Sequence, residues 1–246
     1  MKQALILTLF AALLAAACTS GTPTAQESSL PVREELQLSG DSTFYGLACE
    51  GSTDSILIVL PYSFSDPDTF DIIEARQAHR VFGLPTIGDE LAIIRNPEDS
   101  TEALMVINLE RLKGEWCYMV EPQLRRPANA DEKMPPLPDS LRRKWLQPKE
   151  YGIDIRRENT VRAIGGARES HSKQPSPVTY PAQKRYRQWH ILNGRLLLSE
   201  TYRDSLGNQT VAATDTADIV LLRRDSLVLR FSDHEQGYYR KQVESQ

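Results

Sequence analysis

The feature that most limits the fold of this chain is a succession of short apolar runs with strand-type composition, separated by turn-forming residues. Runs rich in β-branched and aromatic side chains recur after residue 42, and helical periodicity is scarce. Runs of this kind, bounded by Gly, Pro, Asn and Asp, are typical of antiparallel β-structure. The sequence therefore predicts a mainly β protein with two small antiparallel β-barrel or sandwich domains.

The first half of the chain predicts strands around one short helix. The helix, at residues 74–81, is followed by Gly83 and Pro85, which are helix-stop signals. The strand runs cover residues 43–49, 55–60, 69–73, 90–95, 103–108 and 114–120.

Three strands, a short helix and two strands follow the order of an OB-type barrel, and residues 83–91 resemble its glycine-marked fourth strand. The resemblance covers residues 38–121 and implies a barrel that binds oligonucleotides or sugars across one face. A net charge of −4 gives no support to nucleic acid as the partner. Outside the cytoplasm, a glycan or an envelope protein is the expected partner.

The second half predicts a further β domain at residues 140–242, after a Pro-rich linker at residues 122–139. Asn193-Gly194 lies between two strand runs and is a strong two-residue hairpin signal. The strand runs cover residues 152–156, 160–164, 186–192, 195–202, 218–223, 226–231 and 237–241.

Residues 187–198 and 219–229 resemble the lipocalin-like domains of Bacteroidetes lipoproteins, which are antiparallel meanders. Those families carry a Gly-x-Trp motif; here Arg143 replaces the glycine two residues before Trp145, while an intact Gly114-Glu115-Trp116 lies earlier. The resemblance implies a cup for a small apolar ligand. Its candidate ligand-contact aromatics are Trp145, Trp189 and Tyr202.

The N-terminus has the pattern of a signal peptide at residues 1–17. A basic start at Lys2 precedes a fourteen-residue uncharged run, Ala4 to Ala17, and a small-residue cleavage site before Cys18. As a helix this run would extend about 21 Å, short of the roughly 30 Å of membrane hydrocarbon.

Residues 15–18, Ala-Ala-Ala-Cys, resemble the lipobox of bacterial lipoproteins, although Ala15 stands where leucine is usual. The resemblance implies acylation of Cys18, palmitate included, and Thr19 in the next position implies an outer-membrane address facing the periplasm or the cell surface. Residues 18–37 would form the lipidated cysteine and a flexible tether. The alternative is ordinary secretion, with Cys18 merely near the cut.

Two other cysteines, Cys49 and Cys117, are a candidate disulfide in an oxidising compartment. Two buried free thiols are the alternative. Neither cysteine has Cys-x-x-Cys spacing, so redox catalysis and a thiolate metal site have little support.

Seven tripeptides with Asp, then Ser or Thr, then a small apolar residue or Thr resemble the O-glycosylation sites of Bacteroidetes. The simpler interpretation is that Asp-Ser forms turns that open strands. The candidate acceptors are Ser42, Ser55, Ser100, Ser140, Ser205, Thr216 and Ser226.

Catalytic and cofactor motifs are absent from the sequence: it contains no His-Glu-x-x-His, Gly-x-Ser-x-Gly, phosphate loop or dinucleotide glycine pattern. The carboxylates of residues 66–71 could coordinate a calcium ion, but a solvated turn is the simpler interpretation. The four histidines are isolated in sequence. We therefore predict no cofactor, no metal and no catalytic residue.

Two function classes follow from the sequence. The leading one is a non-enzymatic, lipid-anchored module of the cell envelope that binds a ligand or partner through its β-barrels. The alternative is an envelope hydrolase or an accessory subunit of an envelope enzyme, with acids from residues 66–71 and from Asp89 and Glu90. A pocket with convergent carboxylates would favour the enzyme.

Overall fold

The chain is mainly β-structure in this computed structural model, which describes residues 38–124, 138–166, 178–203 and 209–241. The mainly β prediction is confirmed. The predicted signal peptide, Cys18 and the tether lie outside the described residues. The elements are β1 (Phe44–Ala48), β2 (Ile56–Pro61), β3 (Asp68–Asp71), α1 (Ile73–Gln77), β4 (Val81–Phe82), β5 (Glu90–Arg95), β6 (Ala103–Asn108), α2 (Leu109–Leu112), β7 (Gly114–Val120), β8 (Gln123–Leu124), α3 (Asp139–Trp145), β9 (Lys149–Ile155), β10 (Val161–Ile164), β11 (Val178–Thr179), β12 (Gln188–Leu192), β13 (Arg195–Arg203), β14 (Gln209–Leu222), β15 (Ser226–Arg230) and β16 (Glu235–Arg240).

The first sheet has the strand order β3-β2-β1-β5-β6-β4 and is antiparallel except for β4 with β6. The two ends of this sheet are linked to each other. Asp71 forms a parallel bridge with Glu102, and the Asp71 N–H donates to the Thr101 carbonyl at 2.8 Å. The sheet therefore curls around its own core, which consists of Ala48, Leu57, Val59, Phe70, Ile72, Leu91, Ile93, Ala103 and Val106.

Helix α1 is shorter than predicted because the backbone turns at His79, which has a φ of +56°. A residue in the left-handed region just past a helix is a common way for the helix to end. The following residues, Val81 and Phe82, then pair with β6 as β4. The sequence pattern had placed Val81 in the helix.

The second sheet is an eight-stranded antiparallel meander in the order β10-β9-β7-β16-β15-β14-β13-β12. Its strands pair in succession from β7 through β9 to β10 and from β12 to β16, and the last strand, β16, pairs with the first, β7. Its edge strands meet at a bridge between Thr160 and Gln188. Two hydrogen bonds flank that bridge, from Val161 N–H to the Arg187 carbonyl at 2.9 Å and from Trp189 N–H to the Asn159 carbonyl at 2.8 Å. The meander is therefore a nearly closed barrel.

The barrel begins at β7, which the sequence had placed at the end of the N-terminal domain. This strand pairs with β9 from Gly114 opposite Ile155 to Val120 opposite Lys149, and with β16 through Cys117 opposite Tyr239. The expected boundary after residue 121 therefore separates β7 from both of its partners. The physical reason is Trp116, whose fully buried side chain belongs to the barrel core.

The two sheets share a core and belong to one compact unit, Arg33–Gln246. Side chains before the barrel complete its core cluster, namely Phe82, Ala92, Ile107, Leu109 and Leu112. The turn between β12 and β13 lies at the junction of the two sheets. Asn193 has a φ of +49° and Gly194 a φ of +82°, as the predicted Asn-Gly hairpin requires.

The Asn193 side chain joins this turn to the start of the first sheet. Its Oδ1 accepts from Ser42 N–H at 2.9 Å and from Ser42 Oγ at 2.8 Å, while its Nδ2 donates to the Gly40 carbonyl at 3.1 Å. Tyr45 adds a hydrogen bond from its hydroxyl to the Ile191 carbonyl at 3.0 Å. The barrel end that carries this turn is therefore covered by the N-terminal sheet.

The predicted linker contains paired structure where it is described. Gln123 and Leu124 pair with Thr179 and Val178 as a two-stranded sheet. Residues 125–137 lie outside the described residues, and α3 begins at Asp139.

Candidate functional site

The covered end of the barrel is filled by large side chains. Trp116 and Trp189 have no exposed surface and pack in one cluster with Leu196 and Leu227. Both indole N–H groups have partners: Trp116 donates to the Leu112 carbonyl at 2.7 Å and Trp189 to the Arg156 carbonyl at 2.8 Å. These side chains leave no room for a ligand within the barrel core at this end, although an open cavity of about 850 Å³ lies beside it, lined by residues that include Gly114, Asp154 and Arg240.

Arg240, on β16, stabilises the filled end of the barrel. Its guanidinium lies 4.2 Å from the centroid of the Trp116 ring and donates to the carbonyls of Arg111 and Lys113. Gly114 has a φ of +134°, and a Cβ there would overlap this guanidinium. The intact Gly114-Glu115-Trp116 motif is thus the one that opens the barrel, and Trp145 is not its counterpart.

The other end of the barrel holds a cavity of about 640 Å³, which we call the mouth cavity. It lies at the turn between β15 and β16, whereas the turns at Asn193 and between β14 and β15 lie at the filled end. Tyr118 reaches it because Tyr118 is two residues beyond Trp116 on the same face of β7. The side chains on which the site depends are Tyr118, Ile153, Gln183, Lys184, Tyr186, Asp215, Phe231, Asp233, His234, Gln236 and Tyr238.

Lys184, Asp215 and Tyr186 form a hydrogen-bonded group in the cavity wall. Lys184 Nζ and Tyr186 Oη both donate to Asp215 Oδ2, at 2.6 and 2.5 Å. Burial raises the pKa of Asp215, but the two hydrogen bonds outweigh it and hold this pKa below its usual value. The same bond to Asp215 raises the pKa of Lys184, so the pair is ionised at neutral pH.

Phenol rings form the opposite part of the wall. Tyr118 packs edge-on against Tyr238, with 5.3 Å between ring centroids, and against the buried Tyr151 at 6.2 Å. Burial raises the pKa of Tyr118, Tyr186 and Tyr238, so all three stay neutral phenols. Within the described part of the chain, the hydroxyls of Tyr118 and Tyr238 have no hydrogen-bond partner.

The rim of the cavity carries a second hydrogen-bonded pair, Asp233 and His234. His234 Nδ1 lies 2.7 Å from Asp233 Oδ1, and the imidazole stacks on Phe231 with 5.0 Å between ring centroids. The hydrogen bond with His234 lowers the pKa of Asp233. The rim therefore adds an aromatic surface and a carboxylate to the site.

The three aromatic residues predicted from the sequence do not line the mouth cavity. Trp189 is in the filled end, Trp145 is half-buried at the end of α3, and Tyr202 is 53% exposed on β13. Sequence reasoning missed Tyr118 and Tyr238. Strand alternation from Trp116 could have found Tyr118, had the intact Gly-x-Trp been taken as the start of the barrel.

The candidate disulfide is absent from the structure, in which Cys49 and Cys117 are free cysteines; the alternative of two buried free thiols fits Cys117 alone. Cys49 is half-buried just after β1, whereas Cys117 is buried on β7 opposite Gly152. Burial and the nearby Glu150 raise the pKa of Cys117 to about 11. Its thiol is therefore protonated at neutral pH and poorly nucleophilic.

Three of the acids proposed for the enzymatic alternative, Asp71, Asp89 and Glu90, have structural partners. Asp89 accepts from Asn108 at 2.6 Å and from Thr86 N–H at 2.8 Å, and Glu90 pairs with Lys113 at 2.5 Å. Asp71 accepts from Ile73 N–H at the start of α1. Within the described ranges, no group of His, Cys, Asp or Glu is arranged to hold a metal ion.

A second cavity, of about 360 Å³, lies on the N-terminal sheet between the start of β1 and the loop after β2. The Arg95 guanidinium at its edge lies 5.2 Å from the Phe44 ring centroid. Its hydroxyl and carboxylate groups include Asp41, Thr43, Ser63 and Asp68.

The candidate glycosylation sites differ in accessibility. Ser42, Ser100 and Ser140 are exposed; Ser55, Thr216 and Ser226 are half-buried; and Ser205 lies outside the described residues. Thr216 lines the mouth cavity, and Ser42 donates its hydroxyl proton to Asn193. Glycosylation stays a prediction, and it is sterically easiest at Ser100 and Ser140.

Comparison with known proteins yields one structural likeness. No family model and no curated protein matches the sequence. A solved lipocalin-like protein from Bacteroides thetaiotaomicron is 18% identical and has a TM-score of 0.28, over 52% of this chain and 95% of that chain. So low a score adds nothing to the topology that the strand pairing establishes. Among the described residues, no helix is long and apolar enough to cross a membrane.

Proposed function

We propose that this protein is a non-enzymatic binding protein of the cell envelope whose barrel holds a small molecule in the mouth cavity. One observation carries the proposal: a nearly closed eight-stranded barrel that is filled at one end and hollow at the other. Its volume of about 640 Å³ lies within the range of small-molecule sites, roughly 300–1,000 Å³.

Binding is favoured over catalysis by the ionisation of the cavity groups. A general acid or base works best when its pKa lies near the operating pH. Here the carboxyl pKa values of Asp215 and Asp233 are lowered, and those of Tyr186, Tyr238 and Lys184 are raised. Each of these groups is thereby held in one protonation state.

The proposal is tested by mapping ligand contacts with amide chemical shifts on the folded protein. The probes are an amphiphilic anionic dye with a large aromatic surface, anilinonaphthalene sulfonate; a cation, tetramethylammonium; and a set of neutral methyl glycosides. We expect at least one probe to shift the amides of β7, β14 and β16 around the cavity, and a bulky Ala182→Trp variant at its edge to weaken that effect. If no probe shifts these amides, the binding proposal fails.

We propose further that the protein is anchored through acylated Cys18, a proposal supported by the lipobox-like pattern of residues 15–18. Several acyl chains on one residue would give effectively permanent attachment, since each buried methylene contributes about 0.8 kcal/mol. A Cys18→Ala variant should leave the membrane fraction and lose metabolic labelling with palmitate, whereas a Cys49→Ala control should keep both. Membrane retention by the Cys18 variant would contradict the anchor.

We also propose that the N-terminal sheet is an OB-like barrel that contacts a glycan or an envelope protein. The order β1-β2-β3-α1-β4-β5-β6, in which β4 has only two residues, and the parallel bridge between Asp71 and Glu102 support this assignment. An Arg95→Ala variant tests the second cavity: it should weaken capture of an envelope partner without changing ligand shifts in the mouth cavity. Unchanged capture would exclude that surface.

A further inference from the structure

Resting on the proposed function of the mouth cavity, we infer that its ligand is a neutral polyhydroxylated molecule of the carbohydrate class. Lys184 and Asp215 bind neighbouring hydroxyl groups of this ligand, and the phenols of Tyr118 and Tyr238 bind others. Three features of the cavity wall favour this ligand class: the formal charges of its lining, its unused hydrogen-bonding capacity and its ring surfaces.

The lining of the cavity is balanced in formal charge. Its two basic side chains, Lys184 and Arg195, are matched by two acids, Asp215 and Asp233. Three of these four are held in ion pairs, since Lys184 contacts Asp215 and Arg195 contacts Asp218 at 2.7 Å, while Asp233 lies beside His234. An anionic ligand would therefore face no unopposed cation, and the carboxylate outside these ion pairs, Asp233, is 80% exposed at the rim, where water screens its charge.

The Lys184–Asp215 pair has hydrogen-bonding capacity to spare. An ammonium group has three donors, and a carboxylate has two acceptor oxygens. Within the described residues, Lys184 uses its ammonium on Asp215 Oδ2, and Asp215 Oδ1 has no partner. A donor and an acceptor thus stand side by side, and a pair of adjacent hydroxyls, each of which both donates and accepts, complements them.

Tyr118 and Tyr238 supply two further polar groups and the ring surface. Both side chains are half-buried, and within the described ranges neither hydroxyl meets a protein partner. Polar groups in such positions are satisfied by water or by a ligand. The ring of a sugar has an apolar C–H face and a polar edge, which fits a wall that offers both phenol rings and hydroxyls.

A purely apolar ligand fits this wall poorly. It would displace water from the Lys184–Asp215 pair and from both phenol hydroxyls without replacing the lost hydrogen bonds, which is unfavourable. Ile153 and Phe231 provide apolar contact, but they lie among these polar groups.

The test uses saturation-transfer difference NMR on the folded protein, which detects weak binding. The probes are methyl α-D-glucopyranoside, methyl α-D-mannopyranoside, methyl β-D-galactopyranoside and N-acetyl-D-glucosamine. Cyclohexanol, a ring of the same size with one hydroxyl, is the matched ligand control. We expect at least one sugar to bind with a dissociation constant on the order of 1 mM, and cyclohexanol to bind more weakly.

Three variants then locate the binding. Tyr118→Phe and Tyr238→Phe remove only a hydroxyl, so each should weaken sugar binding roughly fivefold while leaving thermal stability unchanged or higher. Asp215→Asn should weaken it at least as much. Tyr202→Phe, on the exposed part of β13, is the control and should bind like the parent.

Each outcome of these measurements either supports or overturns the inference that the ligand is a carbohydrate. Sugar binding that falls in the three cavity variants but not in Tyr202→Phe supports the inference. Sugar binding that no cavity variant changes overturns it. If anilinonaphthalene sulfonate or tetramethylammonium occupies the cavity and no sugar binds, the inference is overturned and the proposed function stands. If no probe binds, both fail.

Discussion

Replacing Arg240 by alanine should destabilise the folded protein by about 3 kcal/mol. The guanidinium donates to the Arg111 and Lys113 carbonyls, and hydrogen bonds from a charged group are worth about 1.5 kcal/mol each at the lower end. Stacking 4.2 Å from the buried Trp116 ring adds about 1 kcal/mol. Among the described residues Arg240 Nε finds no hydrogen-bond acceptor although it is buried, so its removal returns about 1 kcal/mol.

The assay is urea unfolding followed by tryptophan emission, because Trp116 and Trp189 report on the barrel core. Arg230→Ala is the matched control: Arg230 is also near the end of a barrel strand, but its pair with Glu235 is exposed and should be worth less than about 1 kcal/mol. Arg240→Lys should fall between the two, since it keeps the charge and loses the planar donor pair. An Arg240→Ala variant within about 0.5 kcal/mol of the Arg230→Ala control would refute the reasoning.

Three further predictions concern other parts of the molecule. Asn193→Gly keeps the positive-φ turn but removes the hydrogen bonds to Ser42 and Gly40, so it should cost about 2 kcal/mol in urea unfolding; an unchanged midpoint would contradict this role. The lowered pKa of Asp215 means that its contribution to stability is present above its ordinary value of 3.8 and is lost as the pH falls through the folded-state value. The unfolding midpoint of Asp215→Asn should therefore decline less than that of the parent below about pH 4, and equal acid slopes would count against it. Iodoacetamide near neutral pH should modify Cys49 faster than Cys117, whose pKa is about 11, and peptide mapping should find Cys117 fully labelled only after denaturation; rapid native labelling of Cys117 would disprove its burial.

Most strands could be predicted because their side chains alternate between a buried and an exposed face. In β12, Trp189 and Ile191 are buried while Gln188 and His190 are half-buried, and this alternation of apolar and polar residues is visible in the sequence. The Asn193-Gly194 turn was equally readable, since few other residue pairs accept two positive φ angles.

The first half of β14 could not be predicted in the same way. Residues 211–214 are exposed on both faces, so they lack an apolar period even though they pair with β13. Helix α2 was not predicted because its four residues are too few to show a helical period. It begins after Asn108, whose side chain accepts a hydrogen bond from Arg111 N–H.

The mouth cavity was the least predictable part. Its wall brings Tyr118 from β7 together with Asp215 from β14 and Tyr238 from β16, and Lys184 comes from the segment before β12. Residues that far apart meet only because the barrel closes, and closure depends on assigning β7 to the second sheet. The local pattern around each of them resembles that of an ordinary half-buried strand residue.

The filled end of the barrel restricts how a ligand can reach the site. With Trp116 and Trp189 across one end, arrival and departure share a single route, and nothing can be threaded through. A long polymer could be held only by its terminus, never by an internal unit. The number of protein molecules that a polymer can bind would therefore depend on its number of chain ends and not on its length. Cutting the polymer into fragments would create new ends, and each new end would be a new ligand for the barrel.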